Sequence, residues 1–377
     1  MSVQSLHTQN NSIPVKRDNR IDTIRGLLLL SMAVDHYGGW IFKYTWEPFG
    51  FISDAEGFIF MSGFVFAMVY GRYVFNYNLL AIKIIKRFFN IYCYHIAMVI
   101  GLPLLMIIFP LAQKYWGNLF SYFYISPVKY FFASMLLVNE PPLMDILPVY
   151  VVVILFSWPI LIFLSRGWNF LTLSISVSVW VLGQYYDPVY LAERFFQGAP
   201  PVSFNIFSWQ LVFFLGVYFG FRKYRDLPNL IPYKKITIIS AFTIFIVLFL
   251  IKYHIIPVDT EFMSSLTIRY NLGWLRVINF LSIAYLVSVL LKKIPISAKI
   301  PWVHFLGKHS LQVFSFHIVI AYFFLIPWGS GRGIYDKYGN GIYLLVMFLF
   351  LISLSIPAYA HKMFMKNKAD KKVKTVS

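Results

Sequence analysis

Apolar residues in this chain fall into long blocks, not into the strict alternation of a half-buried strand. Ten blocks each approach the roughly 20 residues that a helix needs to cross a hydrocarbon core. They cover residues 24–42, 56–75, 88–111, 145–164, 169–186, 205–221, 236–256, 273–291, 305–326 and 341–361. Residues 128–138 are apolar but short, and run into Asn139-Glu140-Pro141-Pro142. That stretch is expected to be re-entrant or interfacial, not a full span. The pattern predicts an all-α, polytopic membrane protein with about ten transmembrane helices. Its organisation is expected to be a polar N-terminal segment at 1–23, one membrane domain at 24–361 and a basic tail at 362–377. There is no repeat of fixed period.

Composition sharpens this picture. The chain has 377 residues, of which 59% are hydrophobic and only 13% charged, with a mean hydropathy of +0.67. Soluble domains carry about 25% charged residues, so a soluble fold is excluded and the lipid bilayer becomes the first partner. The formal charge of +18 would suit nucleic acid, but its distribution argues against that partner. Basic residues cluster between the apolar blocks, and the clusters alternate. With the N-terminus cytoplasmic, twenty-two fall in cytoplasmic segments and eight on the other side. Lys and Arg bias sets orientation, so both termini are expected in the cytoplasm. Cys93 is the one cysteine, which rules out a disulfide within the chain. No small-residue cleavage site follows the first block, which is expected to be retained.

Ionisable groups at membrane depth are costly and point to function. The first block is the richest, with Arg25, Asp35 and His36, and Asp22 just ahead of it. Arg25 and His36 are separated by three helical turns, so they share one stripe about 16 Å long. Arg25 would hold an anion from inside, and His36 would act as general base, since imidazole titrates near working pH. The plain alternative is a snorkelling Arg and a His bonded to a neighbouring helix. Asp54 and Glu56 enter from the same outer side as His36, where Glu56 could orient the imidazole. Ser62 and Gly63 are expected to serve close helix packing. Lys83, Lys86 and Arg87 form a candidate phosphate-binding cluster, against the ordinary positive-inside reading. His317 is expected near mid-membrane, able to face the same cavity as His36. Trp209-Gln210 offers an amide beside a stacking surface. Arg276 is expected to snorkel from the outer end of its helix. No phosphate-binding loop, dinucleotide fingerprint, serine elbow or zinc-type Cys/His spacing is present, so no metal site is expected.

These residues resemble a known pattern. Arg25 and His36 followed by Glu56-x-Phe58-x-Phe60-x-Ser62-Gly63-Phe64 resemble the transmembrane acyltransferase superfamily (acyltransferase type 3). Asp35-His36, Phe49-Gly50-Phe51-x-Ser53-Asp54-Ala55-Glu56, Met144-Asp145-Ile146-Leu147-Pro148-x-Tyr150, Trp209-Gln210 and Leu306-Gly307-Lys308-His309-Ser310-Leu311 resemble, more closely, its OpgC family. The matches run from about residue 20 to residue 317. The founding role of that family is succinylation of osmoregulated periplasmic glucans. The resemblance implies a bacterial inner-membrane O-acyltransferase. Its co-substrate would be cytoplasmic acyl-CoA (succinyl-CoA or acetyl-CoA), with no permanently bound cofactor, and its acceptor a periplasmic glycan. The resemblance carries catalytic roles to Arg25, His36 and Glu56, and Asp35 joins that set from the residues themselves. The resemblance also carries over His317, Lys86 and Arg87. Together with the residues themselves, the expected acceptor set is His317, Trp209, Gln210 and Asp54, and the donor would be held by Arg25, Lys83, Lys86 and Arg87. Asn139-Glu140-Pro141 departs from the family's Gln-Pro in an outward-facing loop, which bears on the acceptor.

On this reading the thioester extends along the Arg25–His36 stripe through a passage shared by both side chains. The rival is a transporter or flippase for a glycan or lipid-linked sugar. It would show two related halves and helices broken at mid-membrane; the sequence instead crowds its polar residues into the first three spans.

Overall fold

The computed structural model describes residues 18–189, 194–199 and 202–374. Among the described residues every regular element is helical and none is a strand. The main helices are α1 (Asn19–Tyr37), α2 (Asp54–Tyr70), α3 (Tyr77–Ile108), α4 (Ile146–Ser165), α5 (Asn169–Gly183), α6 (Ile206–Tyr224), α7 (Lys235–Lys252), α8 (Trp274–Lys293), α9 (Pro301–Lys308), α10 (Ser310–Ile320), α11 (Ser330–Ser353) and α12 (Ser355–Lys374).

Each of the ten sequence-drawn spans falls on helix. Six helical stretches are long and apolar enough to cross a membrane: α3, α4, α7, α8, Ser310–Trp328 and Ser330–Lys371. The other four spans lie on α1, α2, α5 and α6, which are shorter or carry more polar side chains. Residues 128–138 hold only the nine-residue helix Pro127–Met135, in line with a segment that does not cross.

Local chemistry moves several boundaries. Helix α1 starts five residues before the drawn span because Asp18 caps it, accepting a hydrogen bond from the Arg20 backbone N–H; such a cap satisfies one of the orphan donors of a first turn. Helix α3 starts at Tyr77, capped by Asn76, so Lys83, Lys86 and Arg87 sit inside a long helix and not ahead of it. The last drawn span is divided between α11 and α12, and the basic residues after 361 continue as helix to Lys374.

Two close crossings set the frame of the site. A Cβ placed on Gly63 would lie 2.1 Å from the Phe213 carbonyl oxygen, and one on Gly216 would lie 2.1 Å from that of Phe60. Only glycine lets α2 and α6 approach so closely, the small-residue contact common between membrane helices. Gly63 therefore has the packing role expected of it. Likewise a Cβ on Gly26 would lie 2.0 Å from the Val303 carbonyl oxygen, and one on Gly307 would lie 1.8 Å from that of Asp22. This second crossing locks α1 against α9 and so fixes the register of α10 along α1.

Candidate functional site

The register of α10 brings two pairs of side chains together. Near the start of both helices, the Arg25 guanidinium donates to the Ser310 hydroxyl. Its Nη1 lies 3.9 Å from Asp22 Oδ1. Farther along, His36 Nδ1 lies 2.8 Å from His317 Nε2, and the rings stack with centroids 5.0 Å apart. His317 was expected only to share a cavity with His36; the two are hydrogen-bonded.

That contact assigns the protons. His317 is also hydrogen-bonded by the backbone of Phe314 and Val313. With Nε2 facing His36, this bond belongs to Nδ1. A neutral imidazole has one donor and one acceptor nitrogen. If Nδ1–H donates to a carbonyl of its own helix, Nε2 is left as acceptor. His36 Nδ1–H then donates to it, and His36 Nε2 keeps a lone pair able to take a proton. The network, not an observed hydrogen, makes this assignment.

A cavity of about 1210 Å³ opens on the Arg25 side of this pair. Arg25, Arg87, Lys308 and His361 line it, and its walls are mainly apolar and aromatic, Tyr70, Tyr94 and Tyr150 among them. The volume exceeds the ~300–1,000 Å³ usual for small-ligand sites. Of the three clustered cations in α3, only Arg87 lines it. Lys83 lies over the Tyr73 ring at 5.7 Å and Lys86 is exposed. Both point away because successive helical positions face different directions. Lys308 and His361 were missed as site residues. The signal was present in the Lys308-His309 pair at the basic end of the ninth block.

The cavity stops short of the histidines. Its lining includes Phe58 and Phe314 but neither His36 nor His317. Phe314 stacks on Phe58 at 6.0 Å and meets the His317 ring edge-on at 5.1 Å. Tyr150 holds Phe58 in place by donating to its carbonyl oxygen at 2.9 Å. The continuous Arg25–His36 passage expected from the stripe is thus closed by one aromatic layer.

Other expected residues are engaged elsewhere. Glu56 is fully buried; one carboxylate oxygen accepts from Arg276 Nε at 2.6 Å, the other from the Ser53 backbone and hydroxyl at 2.9 and 2.6 Å. Nothing of this bonding reaches His36. Arg276 does not snorkel: it is 2% exposed and pairs with both Glu56 and Glu47, and Glu47 also pairs with Lys252. A buried carboxylate needs such a partner more than a guanidinium needs water. Trp209 is buried and donates to the carbonyls of Arg269 and Tyr270, each at 3.1 Å. Gln210 uses its amide on Ser176, giving 2.7 Å to the carbonyl and taking 2.8 Å from the hydroxyl. Trp209 therefore fastens the 269–270 loop and Gln210 fastens α5 to α6; neither offers a free face to a substrate.

Asp35 and Asp54 do stay available. Asp35 is 9% exposed and its Oδ1 has no hydrogen-bond partner, and the same holds for Asp54 Oδ2. Glu140, in the loop ahead of α4, is also buried and accepts from the Ser203 N–H at 2.9 Å. Burial, with Asp145 beside it, holds its carboxyl well above the usual carboxylate range.

The site thus combines a cavity lined by basic side chains, an aromatic layer and a coupled pair of imidazoles on one helix register. No curated protein and no solved structure matches the chain. A family model described as OpgC protein matches residues 17–366, a stretch that holds every one of these elements. The chain belongs to the OpgC family, and that membership implies acyltransferase chemistry.

Proposed function

We propose that this protein is an inner-membrane O-acyltransferase that moves an acyl group, succinyl or acetyl, from cytoplasmic acyl-CoA to a hydroxyl of a periplasmic or cell-envelope glycan. The observation that carries the proposal is one cavity lined both by Arg25, Arg87, Lys308 and His361 and by the Phe58–Phe314 layer that contacts His317. A coenzyme A ester has the matching shape: anionic phosphates at one end and a long, nearly neutral arm carrying the thioester. Cations at the mouth favour phosphate by charge-assisted hydrogen bonds. The apolar walls suit the arm. In this reading the mouth faces the cytoplasm, ten helices cross the bilayer, and both termini are cytoplasmic, as the Lys and Arg bias favours.

The reaction follows from the histidine pair. Rotation of the Phe314 ring admits the thioester to His36. His36 Nε2 takes the proton of an acceptor hydroxyl, whose oxygen attacks the thioester carbonyl. The carbon–sulfur bond breaks, and the thiolate leaves with the proton from the imidazolium. The products are an ester and free coenzyme A. During the step His317 Nε2 accepts from His36 Nδ1–H and so stabilises the imidazolium. A positioned base contributes about 10²–10⁴-fold, and holding donor and acceptor together supplies much of the rest. The test is purified protein in detergent, supplied with a panel of acyl-CoA donors and released periplasmic glycans. Mass spectrometry should show a glycan heavier by one acyl group, absent with His36→Ala. Glycans of unchanged mass with every donor would overturn the reading.

A further inference from the structure

On the other flank of the histidine pair lies a second group of polar side chains. Asp35 follows Ser31 by one turn on α1, so the two share a face. Asp54, at the start of α2, is hydrogen-bonded by Ser31 and lies within electrostatic reach of Asp35. Arg269 lies within electrostatic reach of Asp35, His36 and Asp145. The guanidinium is firmly placed. It sits over the Trp46 ring at 4.9 Å and the Phe204 ring at 4.8 Å, while Trp209 holds the Arg269 carbonyl from below. Guanidinium groups favour such aromatic faces.

Three polar atoms of this group lack a partner within the protein: Asp35 Oδ1, Asp54 Oδ2 and Arg269 Nε. Each buried and unpaired polar atom costs about 1–3 kcal/mol. Asp35 itself is more than nine-tenths buried. A set of two acceptors and one donor, left open beside a catalytic base, matches a molecule that offers several hydroxyl groups. Carboxylates accept from hydroxyls, and a guanidinium donates to hydroxyl or ring oxygens. Among the described residues no group of three His, Cys, Asp or Glu could hold a metal ion, which weighs against a cation as the ligand. Asp54, Arg269, Trp46 and His36 keep partial exposure, so the group is open to a ligand arriving from its own side, away from the Arg25 cavity.

We propose that Arg269, with Asp35 and Asp54, forms the subsite that binds a neutral, polyhydroxylated sugar and presents one of its hydroxyls to His36. The assignment as an acceptor subsite rests on the acyltransferase reading; the sugar binding itself does not. Arg269 and Asp35 thereby take the place that Trp209 and Gln210 were expected to fill, and Trp209 keeps Arg269 in position.

Binding and transfer separate the two claims. The full-length protein in detergent is titrated with a linear gluco-oligosaccharide, without donor, by microscale thermophoresis. Wild type should bind saturably. Arg269→Gln and Asp54→Asn should each weaken binding about tenfold or more, the usual effect of losing a charge-assisted hydrogen bond. Arg269→Lys should fall between, since an ammonium lacks the guanidinium fork. Size-exclusion profiles and melting temperatures identify any misfolded variant, and the remaining one carries the test. A wild type that does not bind the oligosaccharide overturns the subsite; so do folded Gln and Asn variants that bind like wild type. Transfer from acyl-CoA is assayed alongside. If wild type binds the sugar but transfers nothing from any donor, the enzyme reading falls and the subsite stands. If it transfers and Arg269→Gln leaves the acceptor KM unchanged, the subsite falls and the enzyme reading stands.

Discussion

His36 Nδ1 and His317 Nε2 are 2.8 Å apart, close enough that a single proton joins the two imidazoles. His317 is held by its own helix backbone, so it is the acceptor and His36 the donor. The pair resembles a general base with an orienting partner, the same logic by which a carboxylate fixes a histidine in hydrolases. His36 carries the free lone pair, and His317 stabilises the charge that forms on His36.

The two histidines should therefore differ in weight. His36→Ala removes the base and should lower transfer about 10²–10⁴-fold. His317→Ala removes one hydrogen bond to a charged group, about 1.5–3 kcal/mol, and should lower kcat about 10- to 100-fold. His317→Gln keeps a carbonyl able to accept the His36 Nδ1–H and should recover part of that loss. Steady-state kinetics on glycan acceptors decide the point. Equal activity of the Gln and Ala variants would leave His317 with a packing role only.

Glu56 is expected to act on the fold, not on the proton. It is fully buried against Arg276, which is 2% exposed. Removing one partner of a buried pair leaves the other charge uncompensated and costs about 3–5 kcal/mol. Arg276→Met should lower the melting temperature in detergent strongly, because Glu56 is left without a counter-charge; Glu56→Gln should lower it less, because Arg276 keeps Glu47. The double variant should recover a large part of the loss, because no lone charge remains. Additive losses would show that the pair is not coupled.

How far these roles were readable from the chain depended on the length scale that sets them. Helix existence and type followed from long apolar blocks, and the Arg25–His36 stripe followed from helical period alone. His317 was expected only to face the same cavity as His36, and its 2.8 Å contact depends on the Gly26 and Gly307 crossing that fixes α10 against α1. A register of that kind is a tertiary property. Glu56 and Trp209 were misjudged for the same reason. Their polar atoms meet Arg276 and the 269–270 loop, more than fifty residues away in sequence. Arg269 carries no local mark that separates it from other basic residues near helix ends.

Glu140 should make stability depend on pH. Burial beside Asp145, with Asp187 also facing it, raises its carboxyl well above the usual range. The folded protein therefore binds this proton more tightly than the unfolded chain does. The resulting stabilisation is full below the unfolded pKa, near the ordinary glutamate value of about 4.3, and is lost as pH rises through the folded value. Glu140→Gln keeps an oxygen for the Ser203 N–H and cannot ionise. Melting curves from acidic to mildly alkaline pH should show wild type losing stability relative to Glu140→Gln as pH rises. Parallel curves for the two proteins would mean that Glu140 does not titrate in this way.

Phe314 should control commitment of the donor. Its ring touches Phe58 at 6.0 Å and His317 at 5.1 Å, and it lines the cavity while the histidines do not. Closing a site against water protects a reactive donor from hydrolysis. Phe314→Ala should therefore let water reach the thioester beside His36, and acyl-CoA hydrolysis without acceptor should rise several-fold over wild type. Phe314→Trp enlarges the layer without touching Arg25, Arg87 or Lys308. It should lower kcat for transfer while the acyl-CoA KM stays within about twofold, because the phosphate contacts at the mouth are intact and uniform binding is unaffected. Thiol release followed by a chromogenic disulfide reads both reactions in one assay. If neither substitution changes the ratio of hydrolysis to transfer, the aromatic layer is packing, and the thioester reaches His36 by another route.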